Sequence, residues 1–105
     1  MAFAKLPTGR GASSSEGYTV RRLGSPVTQF YIEYSEGAKT LRYYLENLMP
    51  GAIDKLVPSE IGPWLPPHIG EQLSSADKLR IANRISDAMK FLGDRIAIDS
   101  ATGHA

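Results

Sequence analysis

Phe30-Tyr31-Ile32-Glu33-Tyr34-Ser35-Glu36-Gly37-Ala38-Lys39-Thr40-Leu41-Arg42-Tyr43-Tyr44, residues 30–44, is the stretch on which the fold turns. From Thr28 onward, Phe30, Ile32 and Tyr34 alternate with Tyr31, Glu33 and Ser35, the period of two that a strand with one buried face requires. Glu36-Gly37 reads as a tight hairpin turn with glycine supplying a positive φ. In that register Ile32 faces Leu41, Phe30 faces Tyr43 and Tyr31 faces Arg42, and the apolar side chains of the pair share one face. Leu41, Leu45 and Leu48 also fit a helical stripe, so Thr40–Met49 can be read as a short helix, but the hairpin match favours a strand.

Upstream, Tyr18–Leu23 is β-rich and stops at Gly24-Ser25-Pro26, which predicts an earlier strand. Thr8 to Gly17 is almost wholly Gly, Ser, Ala and charged residues, too little apolar surface to offset its ordering entropy. Residues 1–16 are therefore expected to form a flexible arm, 17–99 a single domain with its core between Tyr18 and Asp99, and 100–105 a frayed tail. Downstream, Ala52–Val57 reads as another short strand stopped by Pro58, and Ser59 is placed to cap one helical turn through Ile61. Pro63-Trp64-Leu65-Pro66-Pro67-His68 has to run extended, because each proline restricts itself and its predecessor. Ala76–Leu92 then holds neither Gly nor Pro, with Ser74 and Asp77 spaced as a capping box. Ile81, Ala82, Ile85, Ala88, Met89 and Leu92 form its apolar stripe, Gly93 its stop, and Arg95–Asp99 a closing strand. The predicted class is α+β: a small, mainly antiparallel sheet with one long C-terminal amphipathic helix packed on one face.

The composition excludes several roles. Apolar residues make up 42% and charged residues 22% of the 105, which is globular usage. Twelve basic against 11 acidic residues leave a formal charge of +1, no field to concentrate nucleic acid or anionic lipid, so no nucleic-acid partner is expected. Without cysteine there are no disulfides, thiolate nucleophiles or cysteine metal sites. No apolar run suits a signal peptide or a spanning helix, so the expected setting is cytoplasmic with no membrane contact.

Catalytic chemistry is equally hard to place. Gly9-Arg10-Gly11 lacks the third glycine and flanking elements of a phosphate-binding loop. His68 and Glu71 stand three apart, but Gly70 and the upstream prolines deny the helix that would aim both at one ion, so His68 reads as a loop brace. His104 lies in the tail, and Ser13, Ser14 and Ser15 have no base held beside them. No two carboxylates occupy rigid positions that would push their pKa values apart. The expectation is a non-enzymatic protein with no catalytic residues, metal site or cofactor. Tyr31, Arg42 and Tyr44 can share a sheet face, joined by Arg21 or Arg22, which admits an RNA-stacking module as an alternative to a protein contact. Pro63-Trp64-Leu65-Pro66 has PxxP spacing but no flanking basic residue to orient it. Trp64 has two readings, a plug at the edge of the core or a half-exposed anchor for a partner. An uncovered sheet edge would also permit a homodimer by strand pairing.

The order of features resembles the immunity protein 74 family of bacterial polymorphic toxin systems. The resemblance covers about Tyr18 to Asp99: the alternation Phe30-Tyr31-Ile32-Glu33-Tyr34, the acidic Glu46, Ser59-Glu60-Ile61-Gly62-Pro63-Trp64, then Pro66-Pro67, and a terminal helix carrying Arg80-Ile81-Ala82-Asn83-Arg84-Ile85. The chain departs from the family in its Ser- and Gly-rich N-terminus and in Pro63, where a charged residue is expected. The resemblance implies a non-enzymatic inhibitor that binds and neutralises a partner toxin; in that role the chain is expected to use its charged and aromatic side chains Glu33, Arg42, Tyr44 and Glu46, with Trp64, as partner-binding residues.

Overall fold

In the computed structural model, residues 2–7, 10–24, 30–45, 54–94 and 96–98 are described. The alternation of residues 30–44 becomes two strands, Tyr31–Glu36 and Lys39–Tyr44, in antiparallel register. Tyr18–Leu23 pairs with the first of these, and two further strands precede it, Phe3–Lys5 and Arg10–Ser14. In chain order the five are β1 (Phe3–Lys5), β2 (Arg10–Ser14), β3 (Tyr18–Leu23), β4 (Tyr31–Glu36) and β5 (Lys39–Tyr44), and each pairs antiparallel with the next in an up-and-down sheet. One face carries Tyr18, Val20, Ile32, Tyr34, Leu41 and Tyr43, all buried, and α1 (Ser75–Phe91) packs against it through Ile81, Ile85, Ala88 and Met89. The fold is α+β, a five-stranded antiparallel sheet with one 17-residue helix against it.

The expected hairpin forms, one residue further along. Gly37 and Ala38 make the turn, with Gly37 at φ 56°, so Glu36 pairs with Lys39, Tyr34 with Leu41, Ile32 with Tyr43 and Tyr31 with Tyr44. Moving a two-residue turn by one position shifts the pairing by two, which leaves every side chain on the face that the sequence assigned it. What holds Glu36 in the strand is tertiary. Its carboxylate accepts from the Tyr34 hydroxyl at 2.8 Å and from Arg80 of α1 at 3.2 Å, partners that a turn residue would not meet.

The expected flexible arm is corrected in the same way. β1 and β2 add two strands beyond β3, with Phe3 opposite Ser14 and Ala12 opposite Val20. Small residues are what permit it. A Cβ on Gly11 would lie 2.5 Å from Leu6 Cδ1, so glycine lets the Leu6 side chain lie over the strand without shifting. Ala12 is buried, and Phe3 stacks on Phe91 of α1 at 5.3 Å and meets Tyr18 edge-on at 6.1 Å. Arg10 reaches across to bind Asp94 beyond the helix.

The closing strand is β7 (Ile96–Ile98), which pairs not with the main sheet but in parallel with β6 (Asp54–Leu56). Tyr43 ties this ribbon to the sheet, its hydroxyl accepting from the Val57 amide at 2.9 Å. The turn Pro58–Glu60 forms without the predicted cap: residue Val57 occupies the cap position and no side chain bonds there. Glu46, the remainder of Thr40–Met49 beyond Leu45, and the tail from Asp99 lie outside the described residues.

α1 starts and stops where its sequence signals stand. Ser74 Oγ accepts from the Asp77 amide at 3.1 Å while Asp77 Oδ2 accepts from the Ser74 amide at 3.2 Å. At the other end the Gly93 amide donates to Lys90 and the Asp94 amide to Met89, closing the last turn. Ser74→Ala is expected to cost about 1 kcal/mol, lowering the melting temperature by roughly 4–6 °C in a circular-dichroism melt. The bond from the Ser74 backbone holds the Asp77 carboxyl below the usual carboxylate range. The Asp77 part of the cap is therefore present above that range and lost as pH falls through the lowered value. Among the described residues no helix is long and apolar enough to cross a membrane.

Candidate functional site

The face of the sheet turned away from α1 is set by the same alternation. With Tyr18 and Val20 inward, Arg21 points outward; with Ile32 and Tyr34 inward, Tyr31 and Glu33 point outward; with Leu41 and Tyr43 inward, Arg42 and Tyr44 do. Register then lines them up across the strands. Arg21 stands opposite Glu33 and Glu33 opposite Arg42, a row of alternating charge, while Leu23, Tyr31 and Tyr44 make an apolar and aromatic row beside it. A third row is hydroxylic, with Ser35 Oγ and Thr40 Oγ1 3.0 Å apart.

The contacts within these rows are close. Arg42 Nε lies 3.6 Å from Glu33 Oε2, and its guanidinium carbon is 5.2 Å from the Tyr31 ring centre. Tyr31 and Tyr44 have ring centres 5.4 Å apart. A hydrogen bond to Tyr44, with Tyr31 nearby, raises the Arg42 pKa above its ordinary value. Tyr44 is 55% exposed, the most of any aromatic residue described. Chemically this is a cation held over one ring and beside another, with a carboxylate on its flank and, among the described residues, no helix covering it.

Three of the five expected partner-binding residues, Glu33, Arg42 and Tyr44, are brought together here. Glu46 lies outside the described residues. Trp64 is not on this face. It is 3% exposed, its ring tilted against Tyr34 with centres 6.3 Å apart inside the core, so the plug reading holds and the anchor reading is withdrawn. Of the two arginines weighed for the face, Arg21 belongs to it and Arg22 does not: Arg22 lies over Phe30 at 5.0 Å and 3.9 Å from Asp94. Strict alternation from Tyr18 separates the two in the sequence itself.

His68 braces a loop, as its sequence context predicts. Its Nδ1 lies 2.6 Å from Glu71 Oε2, and Glu71 also binds Lys39 at 2.6 Å. The Lys39 ammonium and then His68 hold the Glu71 carboxyl below its usual range. Among the described residues no three His, Cys, Asp or Glu side chains gather as metal ligands.

No family model, curated protein or solved structure matches the chain. Its function has to be read from its own surface.

Proposed function

We propose that the chain is a non-enzymatic protein-binding domain acting in the cytoplasm, and that the open face of β3, β4 and β5 is its recognition surface. The observation that carries this is the cluster of exposed Arg42 and Tyr44 with half-buried Tyr31 and Glu33 on a sheet face that α1 leaves bare. Tyrosine and arginine are the residue types that dominate binding energy at protein interfaces, and here each holds the other in place before a partner arrives. Following the family resemblance, the partner is a bacterial toxin encoded beside this chain, which binding neutralises. RNA fits the same face less well. Glu33 puts a carboxylate between the two arginines, where a phosphate backbone would have to run.

Co-expression with the neighbouring toxin, followed by affinity measurement on the purified pair, tests the reading. Tyr44→Ala and Arg42→Ala are each expected to weaken binding by about 30- to 100-fold, and Leu79→Ala, exposed on α1, to leave it unchanged. Wild-type affinity in both face variants, or steeply salt-dependent RNA binding in place of toxin binding, would refute it.

A further inference from the structure

β5 is the last strand of the sheet, and its outer edge is only partly occupied. The Leu45 amide donates to Phe30, which fixes the phase of the strand: Leu45, Tyr43 and Leu41 direct their backbone groups toward β4, whereas Thr40, Arg42 and Tyr44 direct theirs away. At Thr40 the chain itself supplies a neighbour, the Leu65 amide donating to the Thr40 carbonyl at 2.7 Å. Beyond that single bond the neighbour cannot continue the ladder. Residue 63 is proline and has no N–H to give. Among the described residues, the outward backbone groups of Arg42 and Tyr44 have no partner.

The two segments diverge there to leave a groove of about 390 Å³, walled on one side by Arg42 to Tyr44 and on the other by Pro63, Trp64, Leu65 and Ile69. Ile69 is 57% exposed, an apolar side chain at the rim. A pair of strand residues whose outward backbone groups no described residue meets, facing an apolar wall, is the geometry in which an extended peptide is captured by strand addition, its backbone giving affinity and alternate side chains giving specificity.

Charge identifies the occupant. The row Arg21, Glu33, Arg42 alternates in sign toward the edge and ends on a cation, so the residue that a new strand places opposite Arg42 has to be a carboxylate. Opposite Tyr44 the matching residue is aromatic, and the one between faces the groove and is apolar. Glu60 lines that groove, which keeps a carboxylate out of the middle position and fixes the register. The required pattern, aromatic, apolar, acidic, is the one β4 presents to β5 from the other side as Tyr31-Ile32-Glu33. A second folded copy fits less well, because pairing two β5 edges brings each copy's Pro63–Leu65 wall against the other.

The geometry points to strand addition at the β5 edge: an extended segment of a partner protein, reading aromatic–apolar–acidic, pairs antiparallel with Arg42 and Tyr44. This rests on the reading of the chain as a protein-binding domain and states how its partner is gripped.

The test uses the full chain, isotope-labelled, titrated with a synthetic peptide copying Phe30 to Ser35. Binding on the order of 0.1–1 mM is expected, with the Arg42 and Tyr44 amides shifting downfield and gaining protection from exchange. Replacing the peptide glutamate with lysine should weaken binding about tenfold, and Arg42→Glu in the protein should reverse that preference. A peptide N-methylated at the amides that would face β5 should not bind. Equal binding of the N-methylated peptide would show a side-chain contact with the face and overturn strand addition, as would no shift at these amides up to about 2 mM. Edge resonances that move with protein concentration alone would assign the edge to a second copy and overturn it too. None of these outcomes touches the open-face reading, which stands or falls with the Tyr44→Ala affinity for the co-expressed toxin.

Discussion

Trp64→Ala is expected to cost about 3–5 kcal/mol, the range for emptying a buried aromatic site. The side chain is 3% exposed in a core that also holds Tyr34, Leu41, Leu56 and Ile61. Its ring lies tilted against Tyr34, and the Lys39 ammonium sits 5.9 Å from its centre. The loop around it is otherwise held to the sheet by the Leu65 to Thr40 bond and the exposed Glu71–Lys39 ion pair, so losing the indole loosens the loop as well as opening a cavity. Domains of this size have about 5–15 kcal/mol of stability in total, and the variant should be largely unfolded at 37 °C. Urea unfolding followed by far-ultraviolet circular dichroism measures it. Trp64→Phe should lose much less and, because an aromatic ring still fills the site, should bind the toxin with near-wild-type affinity once folded. A stable Trp64→Ala protein with weakened toxin binding would restore Trp64 as a contact residue.

Trp64 also shows where the sequence was legible and where it was not. A tryptophan among prolines supports a plug and an anchor equally, since composition does not say which wall the loop leans on. The strand alternation of residues 30–44 left no such choice. One face had to be apolar, so Glu33, Arg42 and Tyr44 group on the other by alternation alone, and register moved without disturbing them. The helix was equally plain, because its cap, stripe and stop agree with one another. β2 was invisible for the opposite reason. Gly11, Ala12, Ser13 and Ser14 have weak strand preference of their own, and their conformation is imposed by β1 and β3 on either side, with Phe3 packed on the helix face and Leu6 on the other. The β5 groove escaped notice because it belongs to two segments about twenty residues apart, one of which merely fails to pair.

Raising the pH from 9 to about 12 is expected to remove roughly 2–3 kcal/mol of stability through Tyr34 alone. Tyr34 is 0% exposed, its hydroxyl donating to Glu36 at 2.8 Å and accepting from Arg84 at 3.0 Å. Burial, together with the bond donated to Glu36, raises its pKa from 10.0 to about 12, against the opposing pull of Arg84. A phenol whose folded pKa exceeds its unfolded one binds its proton more tightly in the folded state. Its contribution is therefore complete below pH 10 and lost as pH climbs through the folded value. The rise from 10.0 to about 12 corresponds to about 2.7 kcal/mol of tighter proton binding in the folded protein. Burial raises the Tyr18 pKa as well, so the alkaline limb should be steeper than one group explains. Urea midpoints between pH 8 and 12, paired with tyrosinate absorbance, measure this directly. Tyr34→Phe separates the causes: at pH 7 it should lose about 1 kcal/mol with the hydrogen bonds, while its stability should fall less steeply above pH 10 than that of the wild type. An alkaline limb identical in the two proteins would mean that Tyr34 ionises without unfolding the sheet, and that the Glu36 and Arg84 contacts to its hydroxyl do not join β4 to α1.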